Sequence, residues 1–196
     1  MDTPQFSCPT PFTPHPTDEE ALAWLRLIRS RKVGPATFWR LLAEHGSARA
    51  TLEALPDIAR ASGITDYTPC PQGVAQAELR AARKIGARMI LRGEAAYPAA
   101  LADLSDAPPI LWALGNTDLL SRPMVAIVGA RSASSLGERM ARKLAAELGA
   151  AGVTVVSGLA RGIDAAAHEA ALATGTIAVQ AGGVDVVYPS ENTALT

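Results

Sequence analysis

Hydrophobic positions follow two regimes along this chain. Up to about residue 65 they recur at helical spacing, and from Val125 they come as short continuous runs separated by helical stretches. Thr17 followed by Asp18, Glu19 and Glu20 predicts a helix start, with acids at the positive end of the helix dipole. Leu22, Leu25 and Ile28, with Trp24 nearby, give that helix an apolar face to about Ser30. Gly34-Pro35 breaks the chain and restarts it. Phe38, Leu41 and Leu42 form a second stripe that ends at Gly46, and Ser47 can cap a third helix carrying Leu52 and Leu55. Ile58 follows, and Gly63 stops the pattern. A small all-helical module is therefore expected over residues 18–65.

A further helical pattern, about Val74 to Ile85, extends the module to residue 88. Met89 to Leu91 and Ile110 to Leu114 read as short strands. The strands that matter most are the β-branched runs Val125–Val128, Val153–Val156 and Ile177–Val179. Leu136, Met140, Leu144 and Leu148 predict a helix between the first two, and the Ala-rich stretch Ile163–Ala173 predicts one between the second and third. Such alternation argues for an α/β fold with a parallel sheet buried on both faces. A doubly wound sheet has about five or six strands, and three lie here, so residues 89–196 are expected to form an incomplete Rossmann-like sheet, the first part of a longer protein.

Composition narrows the class without naming a function. The 196 residues are 48% hydrophobic and 19% charged, as in an ordinary globular chain. No apolar run approaches the ~18 residues of a membrane span, and the N-terminus lacks a basic start with an apolar core, so a cytoplasmic location is expected. Residues 1–17 hold five prolines and little that could pack, and are expected as a flexible tail. Cys8 and Cys70 make neither a disulfide framework nor a metal site. Net charge is −1, with no basic half, so a nucleic-acid partner would have to be held by a few placed arginines. Arg80, Arg83, Lys84, Arg88 and Arg92 cluster, but a solvated face is the simpler reading of them.

Candidate chemistry sits where the three strands end. The turns read Gly129-Ala130-Arg131, Ser157 to Asp164 (SGLARGID) and Ala181 to Asp185 (AGGVD). In a parallel sheet such turns lie side by side at the carboxyl edge, where open α/β sheets bind ligands. Glycines allow close backbone approach, and exposed N–H groups at helix starts attract phosphate. The predicted phosphate-binding set is Gly129, Arg131, Ser132, Ser157, Gly158, Gly162, Gly182 and Gly183. Arg131 leads it, because a guanidinium grips phosphate with two parallel hydrogen bonds. Ser134 and Ser135 add hydroxyls or cap the next helix.

The pattern excludes other phosphate machinery. The first turn has one glycine rather than G-x-G-x-x-G, and Ser157 stands where a ribose-binding acid would follow the second strand, so nicotinamide and flavin cofactors are not expected. No GxxxxGK[ST] loop is present. Asp164 and His168, four apart on one helix face, could form an acid–base pair. The simpler reading makes Asp164 a first-turn cap and His168 its hydrogen-bond partner. Tyr188 could stack on a base or simply pack. With no nucleophile or metal cluster, a binding site is expected rather than a reaction site.

VAIVGAR (Val125 to Arg131), VVSGLARGIDAAAH (Val155 to His168) and VDVVYPSEN (Val184 to Asn192), in this order and spacing, resemble the bacterial DprA/Smf family. AAYPAALADL (Ala95 to Leu104) and PPILWALGN (Pro108 to Asn116) are similar to the segments that precede the sheet in that family. The helical module fits the family's SAM-like N-terminal domain, and Val33 to Ser47 is similar to a helix-hairpin-helix element. The resemblance implies a single-stranded DNA-binding protein of natural transformation that protects incoming DNA and helps load RecA, and that dimerises through its later half. Carried over by position, the phosphate-contacting arginine is Arg131 and the glycine-rich second turn is Ser157 to Gly162. The family usually has serine at the place of Ala130, and its later Arg-Asn-Arg segment has no counterpart in these residues. Two other readings are open. One is a nucleotide-processing hydrolase of the lysine-decarboxylase-like Rossmann family, whose PGGxGT turn AGGVD lacks. The other is a helical module that binds protein, with the sheet as scaffold.

Overall fold

The computed structural model describes residues 17–196, so most of the Pro-rich N-terminal segment, with Cys8, lies outside the described residues. The first three helices start where their N-terminal residues dictate. Thr17 Oγ1 accepts from the Glu20 N–H at 3.2 Å and opens α1 (Asp18–Ile28). Pro35, which has no N–H to leave unsatisfied, opens α2 (Pro35–His45), and Gly46 closes it in the left-handed conformation. Ser47 Oγ accepts from the Ala50 N–H and opens α3 (Ala48–Ala61). That helix runs through Pro56 and beyond Ile58.

Burial picks Trp24, Leu25 and Leu27 of α1 rather than Leu22 or Ile28, and packs them with Phe38 and Leu41. Trp24, Phe38 and Trp39 form an edge-to-face trio with centroids 5.0–5.5 Å apart. The ring of Trp39 has a second neighbour: the Arg92 guanidinium lies 4.6 Å from its centroid, and its Nε1 donates to Ala107 O at 2.7 Å. Arg92 is therefore packing, not part of a basic face, whereas Arg80, Arg83 and Lys84 of α4 (Gln72–Lys84) are exposed. β1 (Arg88–Leu91) pairs with β2 (Ile110–Ala113) in a two-stranded sheet, and α5 (Ala99–Ala102) lies between them in sequence. The chain divides into two compact units, the first essentially Met1–Leu79 with Leu91–Ala95 and Ala100–Ile110, the second mainly Leu111–Thr196.

The second unit is built on a parallel sheet with strand order β3-β4-β5, comprising Met124–Ala126, Thr154–Ser157 and Thr176–Ala178. Val125 is level with Val155, and Val155 with Thr176. Two helices make the crossovers, α6 (Ser135–Ala150) and α7 (Ile163–Ala171). Adjacent right-handed crossovers put both on one face of the sheet, where Val155, Ala145, Ala167 and Ala171 form the core. Burial on both faces is not what the described residues achieve: Val125, within β3, is exposed.

The α6 stripe also differs from expectation. Leu136, Met140 and Leu144 are exposed, and the buried positions are Ala141, Ala145 and Gly149, with Leu148 half-buried. Small residues win this face because α6 and α7 pack closely. A Cβ at Gly149 would run into the Thr174 side chain, which follows α7. No helix among the described residues is long and apolar enough to cross a membrane.

Candidate functional site

The first and second turns of the parallel sheet are tied to one another, backbone on backbone. The Ile127 N–H donates to Val156 O at 3.0 Å, extending the ladder beyond β3. The Ser157 hydroxyl donates to Ile127 O at 2.6 Å and is buried. The Ile163 N–H, at the start of α7, donates to Ala130 O at 3.3 Å.

Glycines make this contact possible. A Cβ on Gly129 would lie 2.7 Å from Ile163 Cγ1 and 2.9 Å from its Cβ. Gly162 has φ +75°, and a Cβ there would run into Ala130 O and lie 2.8 Å from Arg131 O. A Cβ on Gly158 would sit 3.0 Å from Asp164 Oδ2. The close approach that the glycine spacing predicted is therefore of one turn to another. Ser157, Gly129, Gly158 and Gly162 shape the crevice from beneath, and none of them offers an open face where a side chain would otherwise stand.

This stitching presents Arg131 and Ser132, both exposed, on a first turn that has little freedom to move. Ser134, just beyond, caps α6 by accepting from the Gly137 N–H at 3.2 Å. Arg161 of the second turn is a second exposed cation, 3.9 Å from the exposed carboxylate of Glu191. Solvent-exposed pairs of this kind contribute little, so the guanidinium is available to an anion. In the third turn Gly182 has nothing within 4 Å of a Cβ, while one on Gly183 would crowd Asp185 Oδ1 at 2.6 Å.

Asp164 and His168 are both buried, and they do not bond each other. The Asp164 carboxylate accepts from the Gly158 N–H at 3.1 Å, which fixes the second turn to the first turn of α7. His168 is 1% exposed, and its Nδ1 lies 2.7 Å from Thr176 Oγ1. That hydroxyl also donates to Val155 O at 2.9 Å, so the contact reaches from α7 through β5 to β4. Nε2 is buried without a partner. Burial pushes the His168 pKa below its ordinary value, against the opposing charge of Asp164. A neutral, buried imidazole that joins α7 to β4 and β5 is a structural tie.

Two residues that sequence reasoning gave no role complete the crevice. Leu159 is fully buried yet takes φ +59°, a strained region for a branched side chain. Asn192 holds it there, donating from Nδ2 to Leu159 O at 2.8 Å and Ala160 O at 3.2 Å. The only sequence signal was glycine on one side of Leu159 and a lone amide far downstream.

Comparison with known proteins decides the family. The model of the DNA recombination-mediator protein A family matches residues 88–196, which hold the whole crevice. The chain belongs to this family. Residues 18–81 match a second model, the DprA-like N-terminal HHH domain. The DNA processing protein DprA of Streptococcus pneumoniae is 48% identical over 101 residues, 50% of this chain and 36% of that protein. The chain thus spans about a third of the length of that relative. The solved structure of the pneumococcal protein superposes with a TM-score of 0.58 at 32% identity, covering 84% of this chain and 64% of that one. DNA processing protein A from Helicobacter pylori, studied for its single-stranded DNA binding mode, gives a TM-score of 0.51 at 33% identity over 57% of this chain and 50% of its own. The architecture is accordingly that of the family: a helical N-terminal module and a Rossmann-like parallel sheet.

Proposed function

We propose that the strand-end crevice binds the sugar–phosphate backbone of single-stranded DNA, with Arg131 as its principal cation. The observation that carries this reading is the first turn itself, which Gly129 and Gly162 lock against α7 so that an exposed arginine projects from a fixed backbone. A guanidinium held in this way loses less conformational freedom on gripping a phosphate. Arg161 supplies a second contact from the adjoining turn. The Helicobacter relative's single-stranded DNA binding supports the same ligand for this chain.

The crevice binds and does not react. The buried acid and imidazole of α7, Asp164 and His168, are engaged in holding turns and strands together. In the whole protein the bound strand is incoming DNA of natural transformation, kept intact and handed to RecA in the cytoplasm by a homodimer. Binding of matched single- and double-stranded oligonucleotides to the full-length protein, read by fluorescence anisotropy at low salt, tests this. Tighter binding of the single strand is expected. Binding of neither, together with release of base from a nucleoside monophosphate, would replace this reading with the hydrolase.

A further inference from the structure

Arg161, the second cation of the crevice, already has an anion at its side, the carboxylate of Glu191 at 3.9 Å. The two are far apart in sequence, and one buried side chain brings their backbones together. Asn192, next to Glu191, donates from Nδ2 to Leu159 O at 2.8 Å and to Ala160 O at 3.2 Å, immediately before Arg161. Leu159 and Gly162, which bracket the arginine segment, both take positive φ, +59° and +75°. Pro189 is buried, and Glu191 lies in the first turn of the 3₁₀ segment Ser190–Leu195. Cation and carboxylate are therefore carried by backbone that the asparagine clamps, one residue to either side of its contacts.

A guanidinium grips carboxylate and phosphate through the same fork of N–H groups, so the two anions compete for it. The Arg161–Glu191 pair faces solvent, and such pairs are weak enough to exchange. A phosphate that takes Arg161 must displace Glu191, and the freed carboxylate stays beside it, like charge against like charge. We infer that Glu191 is a built-in stand-in for strand phosphate. It holds the affinity of the crevice below what two free arginines would give, and so makes a bound strand easier to release. The inference rests on the DNA reading of the same crevice, and it adds a residue that opposes binding to the arginines that favour it.

Glu191→Gln in the full-length protein tests it, alone and combined with Arg161→Ala, by oligo-dT anisotropy at low and high salt. Glutamine keeps the shape of the side chain and leaves Asn192 its two carbonyls, so the melting temperature should not move. At low salt Glu191→Gln is expected to bind oligo-dT about two- to five-fold more tightly, the scale of one exposed ion pair. The gain should shrink at high salt, where the charge is screened. It should be largely lost beside Arg161→Ala, which removes the cation that the carboxylate holds. Unchanged or weaker binding by Glu191→Gln, or a gain of equal size with and without Arg161, overturns the inference and leaves the DNA reading standing. Failure of the unaltered protein to bind oligo-dT overturns both.

Discussion

Gly162→Ala is the substitution that probes most sharply how the crevice is held. Residue 162 has φ +75° and ψ −121°, a combination open to glycine and closed to other residues, and it is the residue before the first turn of α7. Holding alanine there costs about 1–3 kcal/mol in backbone strain. The new methyl group would also meet Ala130 O and lie 2.8 Å from Arg131 O and 3.0 Å from Arg131 C, all backbone atoms that cannot swing aside as a side chain can. Overpacking of this kind adds about 1–3 kcal/mol. Relieving the clash pushes the Arg131 turn off α7, so a total near 4 kcal/mol is expected, together with a displaced arginine. At about 2–4 °C per kcal/mol for a chain of this size, melting should fall by roughly 8–16 °C. Thermal unfolding followed by circular dichroism reads the first effect, and oligo-dT anisotropy below the melting range reads the second. Gly182→Ala is the control, since nothing lies within 4 Å of its Cβ, and its melting temperature should not move. A Gly162→Ala protein melting within about 2 °C of the parent would refute this packing role of Gly162.

Other outcomes follow from the same contacts. His168 takes up its proton less readily folded than unfolded, so its contribution to stability is intact above the ordinary value of 6.5 and is lost as pH falls below it. Chemical denaturation at stepped pH should show that decline, and His168→Gln should flatten it; equal slopes would show that another group titrates. Asn192→Ala removes the donor to two carbonyls of the strained Leu159 segment and is expected to cost about 1–3 kcal/mol, read as a lower urea midpoint. A midpoint unchanged by that substitution would mean that Leu159 is held by its buried side chain alone.

Much of the fold was legible because its signals are local. Thr17, Ser47 and Ser134 cap the helices that follow them, and β-branched runs mark the three parallel strands to within a residue or two. Features set by distant neighbours were not. Leu136, Met140 and Leu144 dominate the periodicity of α6, yet the tight approach of α6 to α7 selects Ala141, Ala145 and Gly149 for burial. Glycine spacing revealed that backbones come close in the crevice without saying to what. The answer, Ile163 against Gly129 and Ala130 O against Gly162, needs the folded turns. Likewise the partner of His168 is Thr176 across the strand rather than Asp164 one helical turn away, and the Arg92 guanidinium is committed to the ring of Trp39.

The salt dependence of oligo-dT binding, compared between the full-length protein and Arg131→Ala, tests most directly whether the locked first turn is a phosphate grip. Each phosphate contact on a single strand contributes about 0.7 to the slope of log K against log salt. The variant should therefore bind more weakly at low salt, with a slope shallower by about that amount and an unchanged melting temperature. Equal affinity and equal slope in the two proteins would contradict the assignment and put the phosphate contact elsewhere.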